Sequence, residues 1–403
     1  MDGNTSKPAK KSKKIIALLL ALISLAVMNT GLLKLKTDKA PMDALPTEKA
    51  AVPYHDDEIE SELTAGHAPG KVVMEVTTCR VLGGINIHKR MEMASTTKVM
   101  TAFIVAERCR LTDVVTIPKA ATGIEGSSIY LREGEKLTVK DLLYGLMLRS
   151  GNDAAVALAI HTAGSIDAFA ELMNRKAGEL GLKNTHFTNP HGLHNDDHYT
   201  SAYDLAYISC MAMRNKSFAE IVGTKLAKLQ GDGNRVLLNK NKFLFNFQGA
   251  TGIKTGFTKA AGRCLVAGSK RNGMELVSVV LNCGPMYEEC GRLMEESYAT
   301  YEMKKIFSAG EQLAETAVVN GKADKVPLYL KNDIFIPLRK DGSESYTVNI
   351  KANNLTAPVM KDTKCAEVEI SFAEGLHLKE NLYTINSVEK LGFIDKIKRF
   401  FKR

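Results

Sequence analysis

The sequence predicts a mixed α/β domain followed by a small all-β domain, and three patterns in its 403 residues indicate this. Apolar residues alternate as in strands in KVVMEVTTCRVLGGINI and again around the turn Arg271-Asn272-Gly273. Long stretches with helical periodicity lie between these two groups. Beyond them, VPLYLKNDIFIPLRK, YTVNIKANN and AEVEISFAEG alternate as strands do, between about 305 and 385. A hydrophobic content of 45% excludes a disordered chain and supplies the core that both domains need.

The positive charge of the chain, formally +9, is concentrated at its two ends. Residues 1–14 and residues 389–403 each carry a net charge of +4, which leaves +1 for everything between them. A nearly neutral body lacks the basic surface that a phosphate backbone requires. Nucleic acid is therefore excluded as the main partner.

The N-terminal end has the pattern of an export signal. A lysine cluster precedes the apolar run IIALLLALISLAVM, which is shorter than the roughly 20 residues of a comfortable membrane span. We expect residues 1–33 to be a signal peptide or an uncleaved signal anchor, since no clean cleavage site follows. Residues 34–62, rich in proline and acidic residues, are expected to be a linker. The remainder is expected at the extracytoplasmic face of a bacterial cell membrane.

The C-terminal end predicts a short amphipathic helix over residues 387–403. Leu391, Ile394, Ile397 and Phe401 recur at helical spacing, with lysines and arginines on the opposite face, and Ser387 is the expected N-cap. Such a basic helix is typical of one that lies on an anionic membrane surface. A terminal helix docked on the protein's own core remains an alternative.

The first chemical motif lies where a helical pattern begins, at Ala94. Ser95 and Lys98 are three residues apart, so their side chains share one helix face and an amine can reach a hydroxyl. The motif is weak by itself, because Ser387 and Lys390 have the same spacing.

Two further triplets strengthen the interpretation. Ser150-Gly151-Asn152 interrupts a helical pattern and would aim a hydroxyl and an amide into a cleft. Lys254-Thr255-Gly256 lies on a predicted strand, where the lysine supplies charge, the threonine a hydroxyl and the glycine room for a substrate backbone. The order S-x-x-K, S-x-N, K-T-G in one chain is typical of penicillin-binding proteins and class A β-lactamases.

Within that group the sequence resembles the serine-type D-alanyl-D-alanine carboxypeptidases, the low-molecular-mass penicillin-binding proteins. The resemblance runs from about Lys71 to Tyr301 and rests on the segments ASTTKVMTA, GSSIYLREGEKLTVKDLLYGLMLRSGNDAAVALA, GLKNTHFTNPHGL, HYTSAYDLA and GIKTGFTKAAGRCLVAGSKRNG. It implies a β-lactamase/transpeptidase-like catalytic domain over 63–304, with an antiparallel sheet, helices and a helical subdomain. A small β-rich domain is then expected over 305–386.

The resemblance also implies roles for individual residues. Ser95 is the expected acyl nucleophile and Lys98 its base, whose pKa the charge of Lys254 would lower. Ser150 and Asn152 are expected to assist proton transfer and hold the substrate. The other implied roles are binding of the terminal carboxylate by Lys254 and Thr255, substrate binding at Gly256, and an oxyanion hole made by the backbone N–H groups of Ser95 and Phe257. The implied ligands are peptidoglycan stem peptides and, as covalent inhibitors, β-lactams, with no metal and no cofactor.

Several alternatives remain open at this point. The segment HFTNPHGLHNDDHY contains four histidines, but its spacing is not that of a zinc hydrolase, so we expect a polar surface loop with Asp204 as an internal hydrogen-bond partner. A β-lactamase, a D,D-endopeptidase on the same scaffold, or a non-turnover peptidoglycan-binding scaffold would each use the same motifs. Seven cysteines leave at least one thiol unpaired within the chain, while Cys283 and Cys290 could pair.

Overall fold

The computed structural model describes residues 68–230, 234–372 and 377–394. Its first domain contains a five-stranded antiparallel sheet in the order β2-β1-β9-β8-β7. The strands are β1 (Gly70–Glu75), β2 (Val81–Ile85), β7 (Ala250–Thr258), β8 (Gly262–Arg271) and β9 (Met274–Leu281). The two ends of the domain's sequence thus share one sheet, and the residues between them form the helical part.

The turn predicted at Arg271-Asn272-Gly273 is confirmed, because it joins β8 to β9. Asn272 and Gly273 have φ values of 48° and 83°, and two consecutive left-handed residues are what a tight hairpin turn requires.

The helical part connects the first two strands to the last three. Its helices, together with the two that flank the final strands, are α1 (Lys98–Arg108), α2 (Val139–Leu148), α3 (Asn152–Ala163), α4 (Ile166–Glu179), α5 (Ala202–Met213), α6 (Lys216–Gly223), α7 (Phe243–Asn246) and α8 (Met286–Thr300). Two short hairpins accompany them, formed by β3 (Val114–Thr116) with β4 (Lys136–Thr138) and by β5 (Leu226–Lys228) with β6 (Val236–Leu238).

Apolar residues cover both faces of the sheet. Helix α5 packs on β1 and β9 from the helical side, and α8 packs on β8 and β9 from the other side. Lys71 of β1 and Glu289 of α8 form a buried ion pair 2.6 Å long across this second interface. Because a lone buried charge would be far less stable, the pair fixes how α8 sits against the sheet.

The helix-break-helix predicted around residue 150 is confirmed. Helix α2 begins with a capping box, in which the side chains of Thr138 and Asp141 each accept from the other residue's backbone N–H. Helix α3 follows after a three-residue break, and its alanine-rich first eight residues are buried. A helix buried all round belongs to the centre of a domain, so the break that precedes it is held rigidly.

The second domain begins without a loop, since α8 ends at Thr300 and the next strand begins at Tyr301. Its strands are β10 (Tyr301–Phe307), β11 (Gln312–Val319), β12 (Lys325–Leu330), β13 (Ile334–Arg339), β14 (Tyr346–Ala352), β15 (Leu355–Thr356), β16 (Lys364–Phe372) and β17 (His377–Thr384). Six of them form one sheet in the order β14-β16-β17-β12-β11-β15, and β10 pairs with β13. The predicted all-β character of this part of the chain is confirmed.

The two predicted end segments lie largely outside the described residues. Residues 1–33 and 34–62 are not among them, and neither are 395–403. Residues 387–391 are not helical: Val388 pairs with Val359, and Ser387 Oγ accepts a hydrogen bond from Lys361 N instead of capping a helix. The described part of the C-terminal helix therefore begins only at Phe393.

No single helix among residues 68–394 that the structure describes is long and apolar enough to cross a membrane, although α3 and α4, bent by 81° at their junction, pass that test as a pair. All seven cysteines are free thiols in the structure, including Cys283 and Cys290.

Candidate active site

The candidate nucleophile lies in a tight turn at the entrance of α1. Residues Ala94–Thr97 form one 3₁₀ turn, and Lys98 follows as the first residue of α1. Ala94 has a φ of 46°, a left-handed conformation that is unusual for alanine. The turn brings the Ser95 hydroxyl to 2.9 Å from Lys98 Nζ.

Lys98 is fully buried, and its amine has two acceptors besides Ser95. Nζ lies 2.7 Å from Asn152 Oδ1 and 2.6 Å from the carbonyl oxygen of His191. A neutral lysine amine has two N–H bonds and one lone pair. When the two carbonyl oxygens accept the N–H bonds, the lone pair is left for the Ser95 hydroxyl.

Burial keeps the pKa of Lys98 well below its ordinary value of 10.5. The nearby charge of Lys254 lowers it further, in the direction expected from the sequence, but burial is the larger cause. Lys98 therefore reaches the neutral form that can accept a proton at a lower pH than an exposed lysine does.

The S-x-N triplet forms the break between α2 and α3. Ser150 is buried and has a φ of 63°, and Asn152 is the first residue of α3. The Asn152 side chain donates to the Glu125 carbonyl at 2.5 Å, which orients its oxygen toward Lys98. A Cβ at Gly151 would lie 2.7 Å from a carboxylate oxygen of Asp153 and 3.3 Å from the Gly145 carbonyl oxygen, so the aspartate of an S-D-N motif would require the Asp153 side chain to move.

Sequence reasoning missed Asp153, which organises one wall of the cleft. Its buried carboxylate accepts hydrogen bonds from the Ser128 hydroxyl and from the backbone N–H groups of Ile129 and Leu131. These bonds hold the loop over residues 127–131 beside the nucleophile. The one sequence feature that pointed to this loop is GSSIYL, which belongs to the segments that resemble the carboxypeptidase family.

The K-T-G triplet lies on β7, the edge strand of the sheet beside the nucleophile. Lys254 is fully buried, and burial together with the charge of Lys240 lowers its pKa from 10.5 to about 7. Thr255 is half-buried and Phe257 is 64% exposed. A Cβ at Gly256 would lie 3.1 Å from Ser95 N, so this glycine permits the strand to approach the nucleophile turn itself.

The histidine-rich segment is a loop that leads into α5, as predicted, and its residues 194–197 are exposed, but other parts of it are buried against the nucleophile turn. His198 is buried, and its Nε2 lies 2.8 Å from Thr97 Oγ1 in the nucleophile turn. Gly192 packs so closely that a Cβ there would clash with the Ala94 carbonyl. The segment thus packs against the nucleophile turn and supports it. A local pattern of polar residues could not indicate this contact. The expected role of Asp204 is confirmed, since it accepts hydrogen bonds from Asn184 N and the Thr185 hydroxyl.

No cluster of three or more histidine, cysteine or acidic side chains suited to a metal ion occurs within the described residues. A cleft of about 450 Å³ opens over the nucleophile instead. Its lining includes Ser95, Asn152, Tyr130, Lys240 and Phe257. A nucleophile with a buried amine beside it, at the base of a cleft whose wall is an edge strand, is suited to acyl transfer on a peptide.

Comparison with known proteins agrees with this geometry. A family model described as D-alanyl-D-alanine carboxypeptidase matches residues 56–284, more than half of the chain. The chain belongs to the D-alanyl-D-alanine carboxypeptidase family. A second model, the C-terminal domain of penicillin-binding protein 5, matches residues 301–390. The resemblance and the fold class inferred from the sequence are both confirmed.

Similarity to individual carboxypeptidases extends over most of the chain. The chain is 32% identical to D-alanyl-D-alanine carboxypeptidase DacF of Bacillus subtilis over 352 residues, which covers 84% of this chain and 90% of that protein. It is 32% identical to DacA of Escherichia coli over 355 residues, covering 83% and 87%. The shared length includes both domains.

Solved structures of related enzymes have the same fold. Penicillin binding protein 5 from Haemophilus influenzae superposes with a TM-score of 0.66 at 31% identity, covering 80% of this chain and 98% of that one. A variant of the Streptomyces K15 DD-transpeptidase superposes with a TM-score of 0.56 at 34% identity, over 58% of this chain and 99% of that one. The fold is therefore shared with a penicillin binding protein and with a DD-transpeptidase.

Proposed function

We propose that this carboxypeptidase removes the terminal D-alanine from peptidoglycan stem pentapeptides through an acyl-enzyme on Ser95. The observation that carries the mechanism is the contact between Lys98 Nζ and Ser95 Oγ, 2.9 Å long, in a site where the lysine pKa is strongly lowered. An amine that is neutral at working pH is the base that a serine nucleophile needs.

Substrate binding begins at the edge strand. The terminal carboxylate is bound by Lys254 and Thr255, and the peptide lies along β7 as an added strand. A carboxylate beside Lys254 stabilises its charged form, so binding raises the pKa of Lys254 above its value of about 7 in the free enzyme. The complex therefore holds a charged Lys254 near a neutral Lys98.

Acylation then transfers one proton through Lys98. The Ser95 hydroxyl loses its proton to Lys98 and attacks the carbonyl carbon of the penultimate D-alanine. The backbone N–H groups of Ser95 and Phe257 form the oxyanion hole, a role supported by the close approach of β7 to Ser95 N at Gly256. Lys98 passes the proton to the leaving amine, and free D-alanine departs.

Deacylation repeats the same proton path with water as the nucleophile. Ser150 and Asn152 are proposed to relay the proton and to fix the substrate amide, since both are buried in the break before α3 and Asn152 contacts Lys98 Nζ. Hydrolysis of the ester restores Ser95 and releases the shortened peptide.

β-Lactams are expected to acylate Ser95 because their amide is attacked in the same way. Incubation with labelled penicillin followed by mass spectrometry should give an adduct on the peptide that contains Ser95, and Ser95→Ala should give none. An adduct on another residue, or stem-peptide hydrolysis that persists in Ser95→Ala, would refute the mechanism.

A β-lactamase is the second candidate, and rapid release of the penicilloyl group would identify it. Gly151 stands where class A enzymes carry the aspartate of S-D-N, which argues against the class A arrangement. Measuring the lifetime of the adduct decides between a slow-releasing carboxypeptidase and a β-lactamase.

We further propose that the enzyme acts at the extracytoplasmic face of the cell membrane, where its substrate lies. The lysine cluster and apolar run within residues 1–33 support export, and the basic residues 389–403 support a surface anchor. Deleting residues 395–403, which leaves the paired residues 388–391 in place, should move the enzyme from the membrane fraction to the soluble fraction with unchanged stem-peptide hydrolysis. Retention in the membrane fraction would assign the anchor to the N-terminal segment.

A further inference from the structure

Two cysteines and an arginine meet at the turn between β1 and β2, and none of them lines the catalytic cleft. Cys79 belongs to this turn, Cys210 to α5, and Arg214 to the C-terminal cap of that helix. A spacing of four residues places Cys210 and Arg214 on the same helix face. Arg214 Nη2 donates to Cys79 Sγ at 3.1 Å, so this face is the one that meets the turn. The Cys210 thiol acts on the same sulfur through a side-chain hydrogen bond.

The turn holds Cys79 in a fixed and strained conformation. The Glu75 carboxylate accepts hydrogen bonds from Thr77 N at 2.9 Å and Thr78 N at 2.7 Å, and Arg214 donates to the Thr77 carbonyl at 2.8 Å. Cys79 has a φ of 57°, a left-handed conformation that glycine adopts with less strain. Strain of this kind, at a position that the surroundings fix, is typical of functional sites.

The two thiols differ in reactivity. The hydrogen bond from Cys210 and the charge of Arg214 hold the pKa of Cys79 below its ordinary value of 9.0. Burial and the charge of Glu75 oppose this shift without cancelling it. Burial keeps the pKa of Cys210 well above 9.0. Cys79 is also 8% exposed, whereas Cys210 is fully buried, so an oxidant reaches the more reactive sulfur first.

We propose that Cys79 and Cys210 form a redox modification site, at which a peroxide oxidises Cys79 and Cys210 then closes a disulfide onto it. The disulfide ties the turn to α5 and closes a loop of about 130 residues, and closing a loop of this length restricts the unfolded chain strongly. The next residue in the turn, Arg80, donates to the Pro337 carbonyl of the second domain. The cross-link therefore also fixes the turn at which the two domains meet.

Hydrogen peroxide is the oxidant and accepts both electrons. The Cys79 thiolate attacks one peroxide oxygen, so that an S–O bond forms, the O–O bond breaks and hydroxide leaves. The Cys210 thiol then attacks the sulfur of this sulfenic acid, the S–S bond forms and the S–O bond breaks. The departing hydroxyl takes the thiol proton of Cys210, and the first hydroxide takes the proton that Cys79 released. Two thiols thus become one disulfide, and one peroxide becomes two waters.

The test treats the reduced full-length protein with a small excess of hydrogen peroxide. Remaining thiols are blocked with N-ethylmaleimide, and the unreduced digest is mapped by mass spectrometry. The variants are Cys79→Gly, Cys210→Ala and, as a matched control, Cys283→Ala. Glycine suits the left-handed φ at position 79, so Cys79→Gly should fold. Burial raises the pKa of Cys283 to about 11, so this thiol should react slowly.

The wild type should give one cross-linked peptide pair, which contains Cys79 and Cys210 and which dithiothreitol separates. The oxidised protein should melt about 5 °C above the reduced protein. Its rate of penicillin acylation should stay within twofold, since neither sulfur lines the catalytic cleft. Cys79→Gly should give no cross-link and no rise in melting temperature, while Cys283→Ala should behave as the wild type does.

The variant Cys210→Ala should stop the reaction at its first step. Dimedone, which traps sulfenic acids, should then label Cys79 at least fivefold more than it labels Cys283. Equal labelling would show that the turn does not activate Cys79, and this outcome would overturn the proposal.

Three results with the wild type would also overturn the proposal, whether or not the variants fold. The first is a protein without any cross-link, in which Cys79 stays reduced or is oxidised to the sulfinic acid. The second is a disulfide between Cys283 and Cys290 in place of the proposed one. The third is a Cys79–Cys210 cross-link that leaves the melting temperature unchanged or lowers it, because the disulfide would then not stabilise the fold.

Discussion

Gly256 and Ser95 are so close that the smallest side chain at position 256 would lie 3.1 Å from the backbone nitrogen of Ser95. The same Cβ would lie 3.1 Å from the carbonyl oxygen of Met93 and the nitrogen of Thr96. The edge strand and the nucleophile turn are thus in backbone contact, and the distance between the two halves of the site is set by a missing side chain. The sequence interpretation assigned this space to the substrate, whereas the protein's own turn occupies it.

Gly256→Ala should therefore slow acylation more than it destabilises the fold. The new methyl group must push β7 or the turn by a few tenths of an ångström, which misaligns Ser95 with its oxyanion donors. We expect a loss of about tenfold in the rate of penicillin acylation, measured by rapid mixing. The matched control is Gly178→Ala in α4, where no atom lies within 4 Å of the new Cβ, and which should add about 0.5–1 kcal/mol of stability. An acylation rate equal to wild type in Gly256→Ala would show that the turn can move freely.

The two buried lysines predict a bell-shaped dependence of kcat/KM on pH. Below the lowered pKa of Lys98 the amine is protonated and cannot act as a base, so activity falls on the acid side. Above about pH 7 the free enzyme loses the charge of Lys254 and binds the carboxylate less well, so activity falls on the basic side. Hydrolysis of a pentapeptide between pH 4 and pH 10 measures both limbs.

Two comparisons test whether Lys254 causes the fall in kcat/KM at high pH. Lys254→Arg keeps its charge across this range, so the basic limb should move upward even if the overall rate falls. A substrate with an amidated terminal carboxyl group should lack the limb in the wild type. If the limb stays unchanged in Lys254→Arg, a group other than Lys254 is responsible.

His198 is expected to contribute both stability and alignment. Thr188 N donates to its Nδ1 at 3.0 Å, so the Nε2–H group donates to Thr97 Oγ1, which in turn donates to the Ala94 carbonyl at 2.8 Å. His198→Phe leaves the Thr188 N–H and Thr97 without this partner. Urea unfolding should show a loss of about 2–3 kcal/mol at pH 7, and acylation should slow as well.

The same histidine gives a pH dependence of stability. Burial lowers the pKa of His198 from 6.5 to about 3, so the unfolded chain binds a proton that the folded protein does not. The contribution of neutral His198 to the free energy of unfolding is therefore complete above pH 6.5 and is lost as the pH falls toward 3. The difference in stability between wild type and His198→Phe should therefore shrink between pH 7 and pH 4, and a constant difference would contradict the assignment.

Which parts of the fold and the active site could be predicted from the sequence depends on how far apart in sequence the interacting residues lie. The contact between Ser95 and Lys98 follows from helical spacing, and the hairpin at Asn272-Gly273 from local turn chemistry. The roles of Asp153 and His198 depend on partners that lie 22 to 101 residues away in sequence, which no local pattern reveals.

For the C-terminal helix, the local pattern predicts more helix than the described residues contain. The apolar spacing predicts a helix over residues 387–403, but Val388 pairs with Val359, and Leu391 N donates to the Asn320 carbonyl. Periodicity alone cannot separate a helix face from apolar residues that complete a neighbouring β domain. Tertiary pairing therefore shortens the helix at its beginning.

Arg80 is predicted to join the two domains without taking part in the chemistry. Its guanidinium, 4% exposed, donates to the Pro337 carbonyl at 2.5 Å and to Glu344 at 2.7 Å, and lies 4.3 Å from the centre of the Phe372 ring. Arg80→Ala leaves a buried carbonyl and a carboxylate without these bonds, so the second domain should lose about 2–3 kcal/mol. Calorimetry and limited proteolysis near Tyr301 measure the loss.

Arg110→Ala is the control for Arg80→Ala, because the Arg110 side chain is 86% exposed in its ion pair with Asp113. An exposed pair of this kind contributes at most about 1 kcal/mol, so Arg110→Ala should leave both domains close to wild type. Acylation by penicillin should be unchanged in both variants, since neither arginine lines the catalytic cleft. Slower acylation in Arg80→Ala alone would mean that the second domain supports the active site through β1 and β2, and Arg80 would then belong to the catalytic architecture as well as to the domain junction.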